Sequence, residues 1–511
     1  IHWRTTDGIP CMFTVEHHSS FRGLIGGGGS GIKMQDGTLA FPVEGTKKEK
    51  DGKTVSLVLY LQGTETWTLS KGMSDDGCSD PSVVEREKDK LMMMTACDDG
   101  RRRVYESGDK GESWTEALGT LSRVWGKKRD REAKKVGSGF ITATLGDVET
   151  EKRNVMLVTL PVYSTENDKK KGKLHLWLTD NTHIVDIGPV SGDDDAASAL
   201  LYKSAESKTN EKEKEDKLIA LYEKKNVGEN KPSPGMVSVV LTEELKRVKE
   251  VLATWKKVDE RVSQLCPSSI AAQETSTANA CGTVNITAGL VGFLSGNLSD
   301  GIWRDEYLGV NATVKGAATA AKGTENGVTF TGRGAGAEWP VGRQGENQLY
   351  HFANYNFTLV ATVSIHGEPK EENPIPFIGV KVNDDNKNPV LLGLSYNKEE
   401  KRAVLCSGGT TTEHSVAWEP ETTHQVAIVL QNGTQGSVYV DGQRVGGSPS
   451  DLKDKDSKEI SHFFIGWEGS NEVEKVSQED VSVTVRNVLL YNRPFNDNEI
   501  TALKANKVTV P

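Results

Sequence analysis

Val483-Thr484-Val485-Arg486-Asn487-Val488-Leu489-Leu490-Tyr491-Asn492-Arg493 lies close to the C-terminus of a chain of 511 residues. Val483, Val485, Val488 and Leu490 are apolar, and Thr484 and Tyr491 also suit a pleated surface, so the stretch reads as a β-strand. Asn492-Arg493-Pro494 ends it, because proline cannot donate to a ladder.

Working outward from this strand, the second half of the chain repeats the pattern. Val328-Thr329-Phe330, Phe357 to Val363, Val390 to Leu394, Gln425 to Leu430 and Phe463-Phe464-Ile465-Gly466 are short, β-prone runs between turn residues. Asp441-Gly442, following Gly436-Ser437-Val438-Tyr439-Val440, is a hairpin signal. Many short strands with such turns predict a sandwich over residues 283–505, followed by a short tail at 506–511.

The first half, residues 1–241, is also strand-rich: Thr38 to Val43, Val55 to Leu61, Lys90 to Met94, Val155 to Leu160 and Leu174 to Leu178 recur between turn clusters. Ser107-Gly108-Asp109-Lys110-Gly111-Glu112-Ser113-Trp114 fits the Asp box, S-x-D-x-G-x-[T/S]-W. Asp109 can accept from the turn's own amides, Gly111 tolerates positive φ, and Trp114 plugs a core, so the box is structural. A degenerate copy runs from Tyr60 to Trp67, and Trp67 and Trp114 lie 47 residues apart, near the length of one propeller blade. Phe21-Arg22 precedes Gly26-Gly27-Gly28-Gly29, which reads as a turn, since no strand-then-helix context supports a phosphate loop.

Between the halves, Leu245, Val248, Leu252, Trp255, Val262 and Leu265 recur at helical spacing after Thr242, with Glu243 and Glu244 at the positive end. One amphipathic helix is predicted over 242–265, with Trp255 packing rather than binding. Residues 266–282, rich in Pro, Ser, Ala and Thr, read as a linker, so the connecting region spans 242–282.

Composition narrows the function. A net charge of −10 argues against nucleic acid as a partner. No apolar run reaches the roughly eighteen residues of a membrane span. Mixed-sign runs such as Glu211-Lys212-Glu213-Lys214-Glu215 read as solvated loop. The six cysteines leave the pairing of Cys11, Cys78, Cys97 and Cys406 open. Sequons at Asn285, Asn297, Asn311, Asn356 and Asn432, with the even cysteine count, favour a secreted or surface glycoprotein. No Asp/Asn/His cluster has calcium-ligand spacing, so neither a metal nor a cofactor is expected.

The opening strand resembles the VTVxNVxLYNR motif of the trans-sialidase superfamily of trypanosome surface glycoproteins. Arg101-Arg102-Arg103-Val104-Tyr105-Glu106-Ser107, Thr120-Leu121-Ser122-Arg123-Val124-Trp125-Gly126, Leu176-Trp177-Leu178-Thr179-Asp180-Asn181 and Gly332 to Pro340 resemble further segments of that family, in order. The resemblance implies an all-β chain: a six-bladed sialidase propeller joined by a long helix to a concanavalin-like jelly roll. It places Ile1 near the third blade, so that the family's first arginine, acid/base aspartate and a further pocket aspartate would lie upstream. It also implies a Cys266–Cys281 disulfide, worth on the order of 3 kcal/mol for its loop, and a GPI anchor on a tail not included in this sequence.

Family sialidases attack with a tyrosine activated by a glutamate, and clamp the substrate carboxylate with three arginines. By the resemblance, the glutamate's place is Asp80, the second arginine's is Ala96, the third falls near Lys169, Lys170 and Lys171, with Lys171 the closest match, and the tyrosine's place is Ala197. A slip in that correspondence would promote Tyr202 instead. The expectation is a non-catalytic adhesin at the cell surface, or shed from it, that binds host-cell or matrix proteins. The alternatives are an active sialidase or trans-sialidase, and a sialic-acid-binding lectin without turnover; sialylated or galactose-terminated glycans are the further candidate partners. The motif residues Val483, Thr484, Val485, Arg486, Asn487, Val488, Leu490, Tyr491, Asn492 and Arg493 become the candidate binding surface, with Arg486, Tyr491 and Arg493 expected to be exposed.

Overall fold

The computed structural model describes residues 20–48, 52–61, 67–126, 135–146, 152–163, 172–191, 197–205, 215–226, 233–265, 285–316, 320–332, 334–342, 347–367, 375–383, 389–397, 399, 401–407, 410–446, 448–452, 458–466 and 481–504. The chain divides into two compact units, Ile1–Glu250 with Gln344–Asn347, and Val251–Arg343 with Gln348–Pro511.

Among the described residues, the first unit contains four antiparallel meanders, each a propeller-like blade. Blade A holds Phe21–Gly26, Leu39–Lys47, Thr54–Leu61 and Trp67–Leu69; blade B holds Cys78–Glu87, Lys90–Cys97, Arg102–Ser107 and Thr115–Glu116. Blade C holds Phe140–Leu145, Arg153–Tyr163, Gly172–Thr179 and Ile184–Pro189, and blade D holds Ser198–Lys203, Lys217–Asn226 and Ser233–Val240. Each apolar run singled out in the first half coincides with one of these strands to within a residue. Alternation places one face of each blade against its neighbour: Met34, Ala40, Val58, Val83, Leu91, Met93 and Tyr105 form one cluster between blades A and B. Phe21 is a core residue, and Arg22 is exposed and donates to the Lys48 carbonyl.

The helix Thr242–Gln264 buries Leu245, Val248, Val251, Trp255, Val258 and Val262 along one stripe. Its N-terminal turns belong to the first unit, where Lys249 pairs with Asp216 at 2.9 Å. Its later turns belong to the second, where Trp255 Nε1 donates to the Tyr307 carbonyl at 2.8 Å. The two units therefore meet within this connecting helix, at Glu250 and Val251.

The strands of the second unit form one closed antiparallel sheet whose two sides pack face to face as a sandwich. One places Gly327–Thr331, Ser482–Tyr491, Phe357–His366, Thr423–Gln431 and Gln435–Val440 side by side. The other runs through Ala312–Lys315, Gly336–Pro340, Ile460–Gly466, Ile375–Val382, Val390–Asn397, Arg402–Ser407 and Thr410–Ala417. A large core cluster lies between them, including Trp303, Trp339, Phe463, Val483, Val485, Val488 and Leu490. Each such buried Val or Leu stabilises the fold by about 1.5–3 kcal/mol. At the Asp441-Gly442 hairpin both residues have positive φ, 48° and 75°, which right-handed strand twist requires of a two-residue turn. The all-β architecture, with blades, a connecting helix and a lectin-like sandwich, is the one expected.

Cysteine pairing, left open above, is decided by register. Cys78 and Cys97 face each other across adjacent strands of blade B and form a disulfide. Cys406 is buried, with its Sγ 2.8 Å from Ser395 Oγ. Cys11 and the expected Cys266–Cys281 pair lie outside the described residues. Among the described residues, no helix is long and apolar enough to cross a membrane.

Candidate functional site

The described positions singled out for chemistry, Asp80, Ala96 and Ala197, lie at one rim of blades B and D. In blade B, Ser79, Ala96 and Arg102 are cross-strand partners, so their side chains share a face. That face closes a small cavity with Arg101, Trp125, Lys135, Leu160 and Pro161. Ala96 is buried, and Arg102 donates to the Val136 carbonyl at 2.8 Å. In blade C, Leu160 and Pro161 line the same cavity, near the end of the strand where Tyr163 pairs with Gly172. Lys169, Lys170 and Lys171 themselves lie outside the described residues. In blade D, Ser198 donates its amide to the Gly137 carbonyl at 3.0 Å, and the Ala197 carbonyl accepts from Glu223 at 3.0 Å.

Tyr202 lies at the other end of its strand, with its hydroxyl donating toward the Thr144 carbonyl at 3.5 Å. Five residues of strand separate it from Ala197, on the order of 16 Å at about 3.3 Å per residue. The Ala197 end therefore presents a methyl group, and the neighbouring Ser198 hydroxyl is engaged with Thr159 Oγ1 at 2.9 Å inside the core. Asp80 leaves the ladder between Ser79 and Ser82 with φ 51°, half-exposed. Its amide donates to Glu44 Oε1 at 2.8 Å, and its carboxylate accepts from Ser79 Oγ at 2.8 Å. Burial raises the Glu44 carboxyl above its ordinary range, and the nearby Asp80 charge pushes the same way. Nothing in the sequence pattern marked Glu44. The cysteines that flank Asp80 and Ala96 were the available sign of the bridge.

The Asp box lies at the end of blade B away from this rim, since Ser107 pairs with Leu91 while Arg102 pairs with Ala96. Asp109 Oδ1 accepts from the Ser113 amide at 2.9 Å, Ser107 Oγ accepts from the Gly111 amide at 2.7 Å, and Gly111 has φ 90°. Trp114 packs against the cluster between blades A and B. Lys110 pairs with Asp36 of blade A and holds its carboxyl down to about 2.

The motif strand Ser482–Tyr491 is internal, paired on one side with Phe357–His366 along its length. On its other side Gly327–Thr331 flanks its first half and Leu290–Ser299 its second. The change of neighbour falls at Asn487, whose φ is 49° and whose amide donates to the Asn326 carbonyl at 2.9 Å. The extra residue is a β-bulge, which shifts the phase of alternation. Odd-numbered Val483 and Val485 before it and even-numbered Val488 and Leu490 after it thus all face the core.

The expectation that Arg486, Tyr491 and Arg493 are exposed holds only for Arg486. Tyr491 is 0% exposed and stacks on Phe495 with ring centroids 4.5 Å apart. Arg493 is half-buried, donating to the Ala288 carbonyl at 2.9 Å and pairing with Glu499 at 2.6 Å. Glu499 and Asn496 exchange amide bonds at 3.0 Å in a capping box that starts the helix Asp497–Lys504. Tyr491 and Arg493 therefore fasten that helix to the sandwich, and replacing them with alanine would damage the fold.

Asn285, Asn297, Asn311 and Asn432 are exposed and Asn356 is half-buried, its Oδ1 accepting from the Asn432 amide at 2.9 Å. Among the described residues no cluster of His, Cys, Asp and Glu has the arrangement to hold a metal ion.

Residues 1–223 match the family model described as BNR repeat-like domain, and residues 286–498 match the one described as Trans-sialidase, C-terminal domain. The solved structure of Trypanosoma rangeli sialidase in complex with sialic acid is 35% identical and superposes with a TM-score of 0.80, covering 96% of this chain and 72% of that one. The chain belongs to the trans-sialidase family. Two Trypanosoma cruzi members are also similar: a sialidase, 34% identical over 98% of this chain, and sialidase 85-1.1, 35% identical over 96%. The chain spans 40% and 60% of the lengths of those two relatives. Family membership accounts for the blades, the sandwich and the motif strand, and leaves the activity of this member to its rim residues.

Proposed function

We propose that this chain is a non-catalytic member of the trans-sialidase family that acts by binding, as a cell-surface adhesin for host-cell or matrix proteins. The observation that carries this is the methyl group of Ala197, at the rim end of its strand, with Tyr202 at the other. A sialidase of the double-displacement kind needs a hydroxyl to bond the anomeric carbon, and removing the nucleophile removes the covalent route. Ala96 withdraws a further charged hydrogen-bond donor, a contact typically worth about 1.5–3 kcal/mol.

The test is release of a fluorogenic aglycone from an α-sialoside by the full chain. No turnover above a heat-denatured control is expected, and clear hydrolysis would overturn the proposal. A second reading, a lectin for sialylated glycans, is favoured by Arg102 and Lys135 lining the cavity beside Ala96. Binding of the chain to sialylated but not desialylated glycans on an array would favour it over the protein-binding adhesin.

A further inference from the structure

We propose that Glu44 and the Cys78–Cys97 disulfide together form a clamp that holds the Ser79–Pro81 turn, and with it the half-exposed Asp80 carboxylate, in one pose on the rim. In this assignment Glu44 is a positioning residue that acts through Asp80. The inference does not depend on what the rim binds.

The turn needs holding. Ser79 pairs with Ala96 and Ser82 with Met94, so Asp80 and Pro81 lie outside the ladder and gain nothing from it. Asp80 also has φ 51°, a left-handed conformation that costs a non-glycine residue about 1–2 kcal/mol. Local strain of this kind persists only where the surroundings over-determine it.

Three contacts do so. The disulfide fixes Cys78 to Cys97, anchoring the chain two residues before Asp80 and one after Ala96. Glu44, on the adjoining strand of blade A, takes the Asp80 amide as a charge-assisted hydrogen bond. Pro81 then abuts Gly27, where a β-carbon would lie 2.4 Å from Pro81 Cγ, so the glycine run of blade A is the socket for the turn. Lys135 reinforces the approach, donating to the Gly77 carbonyl at 3.2 Å and pairing with Asp98 at 2.5 Å. Both sulfurs are buried, so the bridge is a fixed part of the clamp rather than an exposed redox group.

Site-resolved hydrogen exchange on the full chain tests the proposal with Glu44→Ala, Glu44→Gln and the double variant Cys78→Ala/Cys97→Ala. Loss of the acceptor in Glu44→Ala should speed exchange of the Asp80 amide about tenfold or more, whereas Glu44→Gln, which keeps a side-chain oxygen, should stay within about threefold of the parent. The cysteine variant should open residues 77–82 while Met92–Met94 and Phe140–Leu145 remain protected. Unchanged Asp80 protection in Glu44→Ala would overturn the proposal. So would uniform loss of protection along Cys78–Glu87 and Lys90–Cys97 in the cysteine variant, since the bridge would then hold the blade and not the turn. The two Glu44 variants decide the matter even where the cysteine variant fails to fold.

Discussion

Replacing Tyr491 with phenylalanine isolates one atom in the strand that defines this family. The ring is fully buried against Phe495, and among the described residues its hydroxyl has no hydrogen-bond partner. Burial accordingly raises the phenol well above its ordinary range. A buried hydroxyl without a partner costs about 1–3 kcal/mol. Phenylalanine keeps the stacking and sheds that penalty, so Tyr491→Phe should stabilise the sandwich by about 1 kcal/mol. Tyr491→Ala leaves a cavity and should cost about 3–5 kcal/mol. Urea unfolding of the full chain, followed by the fluorescence of Trp303, Trp339 and Trp418 in the sandwich core, measures both. A loss of more than about 1 kcal/mol in Tyr491→Phe would refute the reasoning, because the hydroxyl would then be making a bond. Cell binding by the full chain should not respond to Tyr491→Phe, since the ring presents no surface.

Other expectations follow from the same geometry. Asn487→Gly should be nearly neutral in urea unfolding, while Asn487→Val, with a β-branched side chain at φ 49°, should cost about 1–2 kcal/mol. Trp255→Phe loses the bond to the Tyr307 carbonyl and part of a buried ring, and should cost about 2 kcal/mol by the same assay. In blade C, burial alone would raise the Asp180 carboxyl, but His183 and Arg153 hold it well below the usual range. Because the folded value is depressed, its stabilisation is present above the ordinary value of 3.8 and is lost as pH falls through the folded one. Asp180→Asn should cost about 3–5 kcal/mol at pH 7, through the unpaired partners, and flatten the acid limb of a circular-dichroism titration.

Much of the fold was legible because its signals are local. Short apolar runs became strands, Asp441-Gly442 became a hairpin turn, and the Asp box closed on itself through Asp109, Gly111 and Ser113. Helical spacing from Leu245 to Val262 likewise needs no distant partner, since it records only which face of a helix is apolar. The candidate site was legible in part. Correspondence with the family motifs named Asp80, Ala96 and Ala197, but a single sequence does not say that they share a rim, nor that Tyr202 does not.

What the sequence by itself determined is the family, the all-β class and the residue types at the rim, for those depend on motif and periodicity along the chain. Tertiary structure decided the Cys78–Cys97 pairing, the Glu44 contact to Asp80, and the burial of Tyr491 and Arg493. Each of these joins elements far apart in sequence, and side-chain exposure depends on what is packed above a strand as well as on its alternation. The motif strand contains both cases. Its valines are apolar on inspection, but only a bulge at Asn487, placed where one neighbouring strand replaces another, brings Val485 and Val488 to the same face of the sheet.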